Sequence, residues 1–446
     1  MQKPNIFKIA TIAIAFILGI VALLIFSGKF PGIESTAKSN ENKPTLTVWG
    51  TVDRAYVDKA ILNTTQSTGK PFQFNYIQFS RDAISEKMIQ ADASGQAPDI
   101  ILAENDIINN ISGLLYVLPY SYMDELTYKN MFIDASHVYA TPFGAQMYPV
   151  LADPLITFYN KKIFRENGLT NPPENWLELP KYQDKLTVRD TGDIPVQSAF
   201  GLGANNIVNN KNILVASLMQ LGHNPAQIFY SLGENNSLKQ SFVNDLGTSA
   251  TDEGVEGDIY KILRFQTAFS DPQKTVYTWS EIDTTDYDKF VSGRSGIYFG
   301  KASDYYKILS ESPNLELGIN YLPQLSNKYN VTTGDIVGVG ISNATKDFPY
   351  AVEIAKKISG DVFGPGLANM LGVSSARKDI LAGADGSARA SVVGGSAVIM
   401  QIYYDINFGS VNSLFYTLYE NILSGKRSID KAVEIFERSF VSLYKR

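Results

Sequence analysis

The 446-residue chain contains no cysteine. That excludes disulfides, cysteine-ligated zinc, iron–sulfur clusters and a thiol nucleophile, and with them a lipidated cysteine as a membrane tether. Histidine is nearly as scarce: only His137 and His223 occur, too far apart in sequence to form a metal-binding motif, and no Gly-x-Ser-x-Gly nucleophile elbow is present. Tryptophan is confined to Trp49, Trp176 and Trp279. There is no basic stripe. The 39 Lys and Arg are outnumbered by 45 Asp and Glu, for a net charge of −6, which sets nucleic acid aside. The many carboxylates would allow a glycosidase-like pair, but sequence spacing selects none. No internal repeat is found, and no cofactor motif.

What is present reads as an ordinary globular body, with 44% apolar and 19% charged residues, long enough for two or three folded units. Ahead of it, Ile9–Phe26 (IATIAIAFILGIVALLIF) carries no charge. As a helix it would span about 27 Å, close to the roughly 30 Å hydrocarbon core of a bilayer. Lys3 and Lys8 precede it, which favours an N-terminus inside the cell. We expect a single-pass transmembrane anchor over 6–28 and a flexible linker over 29–44. A cleaved signal peptide is the competing reading. Its apolar stretch is normally shorter, and the nearest small-residue site, Ser35-Thr36-Ala37, lies well downstream.

Beyond the linker, hydrophobic periodicity predicts strands at Leu46–Trp49, Phe72–Phe79 and Pro98–Ala103, with helices from Ala55 to Gln66 and from Arg81 to Ser94 between them. Strand–helix alternation implies a parallel sheet with right-handed crossovers. Ligands sit beyond the carboxyl ends of such strands, here Trp49–Arg54 and Ala103–Asp106. Leu155–Tyr159 is a further strand, with Asp153-Pro154 before it. Ser/Asn/Gly-rich 231–257 reads as a surface excursion, and Gly/Ala/Ser-rich 383–397 as a loop. Ser428 is the N-cap candidate of a last helix with an Ile429, Val433, Phe436, Phe440 stripe.

Several stretches, in this order, resemble the extracellular solute-binding protein family 1, the group of ABC-importer receptors that includes the maltose-binding protein. Tyr148–Lys161 (YPVLADPLITFYNK) is similar to the family's stretch ending Tyr-Asn-Lys, and Phe164, Gly168, Pro172, Pro173 and Trp176 follow as in the family. LTVWGTVDRA, PDIILAEND, FVSGRSGIYFG and SGKRSIDKAVEIF resemble further elements from Leu46 to the C-terminus. The resemblance implies an α/β type II periplasmic-binding-protein fold: two discontinuous lobes joined by a hinge, with the ligand between them. One lobe is expected over 45–152 with 303–336, the other over 155–300 with 340–446. It also implies a small-molecule ligand of the sugar class, ABC permease subunits as membrane partners, a monomer outside the cytoplasm, no cofactor, no metal and no catalytic residues. A glycan-degrading enzyme, or a sensory or scaffolding receptor of the same fold, is the alternative. The chain departs from the family in lacking the lipidated cysteine, in lacking the sugar-stacking tryptophans of the central and C-terminal regions, and in carrying Gly300-Lys301-Ala302-Ser303 in place of a Gly-Pro-Trp-like stretch.

A sugar site needs carboxylates and forked donors for hydroxyl pairs and an apolar face for the ring. The candidates are Trp49, Asp53, Arg54, Glu104, Asp106, Asp153, Ser303 and Tyr305. Asp53, Arg54 and Asp153 match ligand-contacting positions of the family. Glu104, Asn105 and Asp106 follow the third strand, and one of them is expected to face the cleft. Each has a plainer alternative: Asp53 as a helix start, Asp153 as a turn, Trp49 and Tyr305 as packing residues. Trp279, in a polar loop, is a candidate cleft lip. Asp283, Asp286 and Asp288 lack the glycine and terminal glutamate of a calcium loop and read as a solvated charge run.

Overall fold

The chain unfolds its hydrophobic pattern into alternating strand and helix. β1 (Thr47–Gly50) pairs parallel with β2 (Asn75–Gln78) and β3 (Ile100–Glu104). They are joined by α1 (Arg54–Thr68) and α2 (Arg81–Ala93), and α3 (Asn105–Ile111) leaves β3 directly. The computed structural model describes residues 45–232, 238–249, 256–280, 284–325, 329–381 and 386–445. The expected anchor and linker lie outside the described residues. Among the described residues no helix is long and apolar enough to cross a membrane.

β3 reads as one apolar run because both its faces are covered. Ile100 and Leu102 join Val48, Tyr76 and Val339 in one core; Ile101 and Ala103 join Ile84, Met88 and Ile336 in another. The second strand is shorter than expected, beginning at Asn75. Phe72 and Phe74 are nevertheless buried in the same core as Tyr76.

β4 (Tyr148–Asn160) is a strand of 13 residues that serves two sheets. Its second half pairs with β5 (Ile297–Lys301) and β6 (Leu317–Asn320). Its first half pairs antiparallel with β7 (Gly334–Ile341), which bridges to β3. The plainer alternative for Asp153, a turn at Asp153-Pro154, is therefore set aside: the segment is continuous strand. Both prolines sit where a missing N–H is tolerated: Pro149 faces the register shift between Val337 and Gly338, and Pro154 faces the first residue of β7.

Strand pairing also moves the expected segment limits. Residues 317–320 pair with the second half of β4, so the chain returns to the first sheet at Gly334 and not at 303. Because β7 ends beside β3, the helices that follow it, Phe348–Ile358 and Phe363–Leu371, bury Ala351, Ile354, Phe363 and Leu367 against Val48 and Leu102. They do not join the lobe expected over 155–300 with 340–446. A further core is helical. α4 (Asn210–Gln220), helix Asp258–Ala268, α5 (Phe408–Leu423) and α6 (Ile429–Leu443) meet through Leu214, Leu218, Leu263, Phe415, Val433, Phe436 and Phe440. Ser428 caps α6, accepting from the Lys431 N–H.

Two readings based on loop-like composition are corrected. Gln227–Leu232 and Leu238–Val243 form an antiparallel hairpin within the expected surface excursion. Ala388–Val398, expected as loop, is a helix. Its small residues serve close packing: a Cβ on Gly395 would lie 2.3 Å from the Tyr321 hydroxyl.

Candidate functional site

Asp153 of β4 and Asp335 of β7 are direct cross-strand partners, so their side chains share one face of the sheet. Gly334 permits the approach, since a Cβ there would lie 2.2 Å from the Asp153 carbonyl oxygen. Two carboxylates side by side repel, and each is held by donors from a different set of elements. Asp335 accepts from Arg81 Nη1 at 2.8 Å and is bonded by Lys301 Nζ. Asp153 accepts from the Ser303 N–H at 2.9 Å and the Ser303 hydroxyl at 2.6 Å.

Arg81 is the centre of the cluster. It opens α2, immediately beyond β2, so the strand end delivers it to the sheet's carboxyl edge. Its Nε donates to Asp106 at 3.1 Å, and Nη2 lies 2.9 Å from the same carboxylate. Its Cζ lies 4.5 Å from the centroid of the Phe408 ring. Lys211 stands 4.7 Å from that centroid and 3.3 Å from Asp405. Asp405 also accepts from the Tyr403 hydroxyl at 2.8 Å. Asn109 Nδ2 donates to the Asp405 carbonyl at 2.7 Å, tying α3 to the segment that leads into α5.

Charge and burial set the ionisation of the group. Burial would raise Asp335, but Lys301 and Arg81 outweigh it and hold the carboxyl well below the usual range. Burial pushes Asp106 up to about 6 against the pull of Arg81, and Asp153 up to about 6 against Lys301 and Ser303. Burial lowers Lys301, and Asp335 more than restores it. The site thus holds firmly paired cations beside two carboxylates whose burial favours the protonated form.

Two cavities adjoin the cluster and share Phe408. One, of about 220 Å³, is lined by residues 205 and 207–212, Lys301 and, from α5, Phe408, Asn412, Phe415, Tyr416 and Tyr419. The other, of about 570 Å³, lies along α2 and includes Arg81 and Asp106.

The structure brings together Asp106, Asp153 and Ser303 from the sequence candidates. Glu104 stands beside them but accepts from Thr51 at 2.7 Å, and Asn105 accepts from the Ile336 N–H. Of the three residues after β3, Asp106 is the one that lines a cavity. The remaining candidates have local roles. Asp53 caps α1 through the Ala55 N–H, and Arg54 pairs with Asp58 in solvent. Trp49 packs against Phe79 with centroids 4.6 Å apart. Tyr305 meets Tyr306 edge-on.

Trp279 is no cleft lip. It is fully buried, with its Nε1 donating to Asn206 at 2.8 Å. Asp286 is likewise buried and accepts from the Val208 N–H, not solvated as a charge run would be; Asp283 lies outside the described residues. Sequence reasoning missed Arg81, Lys211, Asp335, Asp405 and Phe408. Lys301 was noticed only as a departure from the family stretch.

The model of the bacterial extracellular solute-binding protein family matches residues 51–357. The chain belongs to that family. The matched span takes in every charged member of the site except Asp405, and it ends before Phe408. Among solved structures, this solute-binding chain is similar to a cyclo/maltodextrin-binding protein complexed with maltotetraose, with 15% identity, a TM-score of 0.68, and 91% of this chain and 99% of that one covered. The likeness establishes the α/β fold of type II periplasmic binding proteins. Family and neighbour are binding proteins, not enzymes.

Proposed function

We propose that the chain is the extracytoplasmic receptor of an ABC importer, binding a carbohydrate or related small solute between two lobes and held at the membrane by residues 6–28. One lobe comprises the first core, 45–154 with 334–373; the other comprises 155–325 with 403–445. The observation that carries the reading is the Arg81, Asp106, Asp153, Lys301, Asp335 group, set where β4 passes from one sheet to the other and flanked by cavities lined with amides and aromatic rings. Carboxylates, forked donors and ring faces are the groups that recognise hydroxyls and sugar rings. The structural neighbour's sugar complex supports the same class.

A thermal-shift screen across sugars, polyols and short peptides tests this directly, because a ligand that binds the folded state raises apparent stability. At 100 times its Kd a ligand adds about 2.7 kcal/mol, and a sugar is expected to give the largest shift. A peptide giving the largest shift would remove the carbohydrate assignment, and turnover of an oligosaccharide would remove the receptor reading altogether.

The anchor has its own test. Full-length protein is expected to stay with the membrane fraction through a high-salt wash, while a chain beginning at Pro44 is recovered in the soluble fraction. A mature secreted form beginning after Ala37 would instead identify a cleaved signal peptide.

A further inference from the structure

Phe408 is common to the two cavities. It lines both the 220 Å³ space and the 570 Å³ space. Its ring is flanked by Arg81 and Lys211 at 4.5 and 4.7 Å from the centroid. Each cation is fixed in turn, Arg81 by Asp106 and Asp335, Lys211 by Asp405. A cation over an aromatic face is attracted to the ring, more strongly when desolvated. A ring held by two such cations is a fixed wall.

The smaller compartment has the chemistry of a polyol site. Asn205, Asn206, Asn209, Asn210 and Asn212 stand within eight residues of sequence, and all but Asn206 line the cavity, together with Asn412, Tyr416 and Lys301. No carboxylate occurs among its described lining residues. Asn210 is 8% exposed, and its Oδ1 is a buried acceptor with no hydrogen-bond partner. A buried orphan acceptor is unfavourable, and a donor on a ligand relieves it. The size decides the class. Pockets for drug-sized ligands run from about 300 to 1,000 Å³, and 220 Å³ lies below that range.

We propose that the Arg81–Phe408–Lys211 wall ends the ligand compartment, so that this protein takes a single-ring hydroxylated ligand, a monosaccharide or its acid, and excludes oligosaccharides. This rests on the carbohydrate reading above and narrows it. The amides of Asn210, Asn212 and Asn412 take hydroxyls, Phe408 and Tyr416 supply ring faces, and Lys211 and Lys301 tolerate a carboxylate.

Calorimetry on the full chain with D-glucose, D-galactose, D-glucuronate, D-galacturonate and maltotetraose tests the assignment. At least one single-ring probe is expected to bind at least about tenfold more tightly than maltotetraose, a difference of about 1.4 kcal/mol. Phe408→Ala joins the compartments and is expected to shift that ratio at least about tenfold toward maltotetraose. Should the alanine variant fail to fold, Phe408→Val carries the same prediction. Tighter binding of maltotetraose by the unaltered chain, or a ratio indifferent to Phe408→Ala, overturns the wall while leaving the carbohydrate reading intact. Binding of none of the five overturns both.

Discussion

Replacing Asp335 with Asn is expected to destabilise the fold by about 3–5 kcal/mol, the range for breaking one side of a buried ion pair. Asp335 serves two cations, Arg81 and Lys301, whose side chains are 24% and 22% exposed. Arg81 would retain Asp106, but Lys301 would keep only the more distant Asp153. The measurement is the urea midpoint of the variant. Asp335→Asn combined with Lys301→Met should recover part of the loss, since the second change removes the stranded charge. Equal midpoints for Asp335→Asn and the unaltered chain would show that the cluster contributes nothing to stability. The pH sign follows from the depressed carboxyl: its contribution is present above the unfolded value of about 3.9 and is lost as pH falls through the folded one. This part of the stability is therefore insensitive to pH between 5 and 8.

Other buried acids act in the opposite direction. Burial pushes Asp286 up to about 7, and Asp106 and Asp153 up to about 6. Between the unfolded value near 4 and these folded values the native state holds more protons than the unfolded one. Stability therefore falls as pH rises from about 5 to 8. His223 adds in the same sense. Burial lowers it, but hydrogen bonds to Asp245 and Asp258 prevail and hold it above the ordinary value. His137, lowered chiefly by burial, opposes weakly.

Asp286 is the largest contributor. One of its oxygens accepts from Val208, while the other is buried without a partner. Asp286→Asn keeps the first bond and removes the buried charge. It is expected to stabilise the chain by about 1–3 kcal/mol at pH 8 and to change little at pH 5, so its melting temperature should vary less with pH. A stability difference identical at the two pH values would show that Asp286 does not titrate in this range.

The N-terminal strands and helices could be read from sequence because each is encoded by local periodicity, as β3 shows in its unbroken apolar run. β4 was half-read. Leu155–Tyr159 has the pattern of a strand, but Pro149 and Asp153-Pro154 signal a turn, and only the partner β7 explains how they fit inside pairing. The helix Ala388–Val398 was missed because glycine, alanine and serine are the currency of loops and of tight helix packing alike. At the site, Asp153 and Ser303 were singled out separately, and the structure engages them with each other. Arg81 and Asp335 lie 254 positions apart, and nothing local to either marks them as partners. Phe408 gives no signal of its own: one phenylalanine opening an amphipathic helix is indistinguishable from a core residue until two cations are seen beside it.

β4 has a consequence for how the molecule is made. Its first half finds its partner only at Gly334–Ile341, after the whole of the second sheet has been synthesised. Until then the edge of β3 that receives β7 is open, and no fragment ending before residue 334 can seal the first core. Closing so long a loop adds little free energy beyond that of a shorter one, because the entropy grows only with the logarithm of length. Non-local pairing is nonetheless slow to find. Folding is thereby postponed until most of the chain has left the ribosome. For a protein destined, as proposed, for the far side of a membrane, that delay keeps the polypeptide threadable for as long as it needs to be translocated.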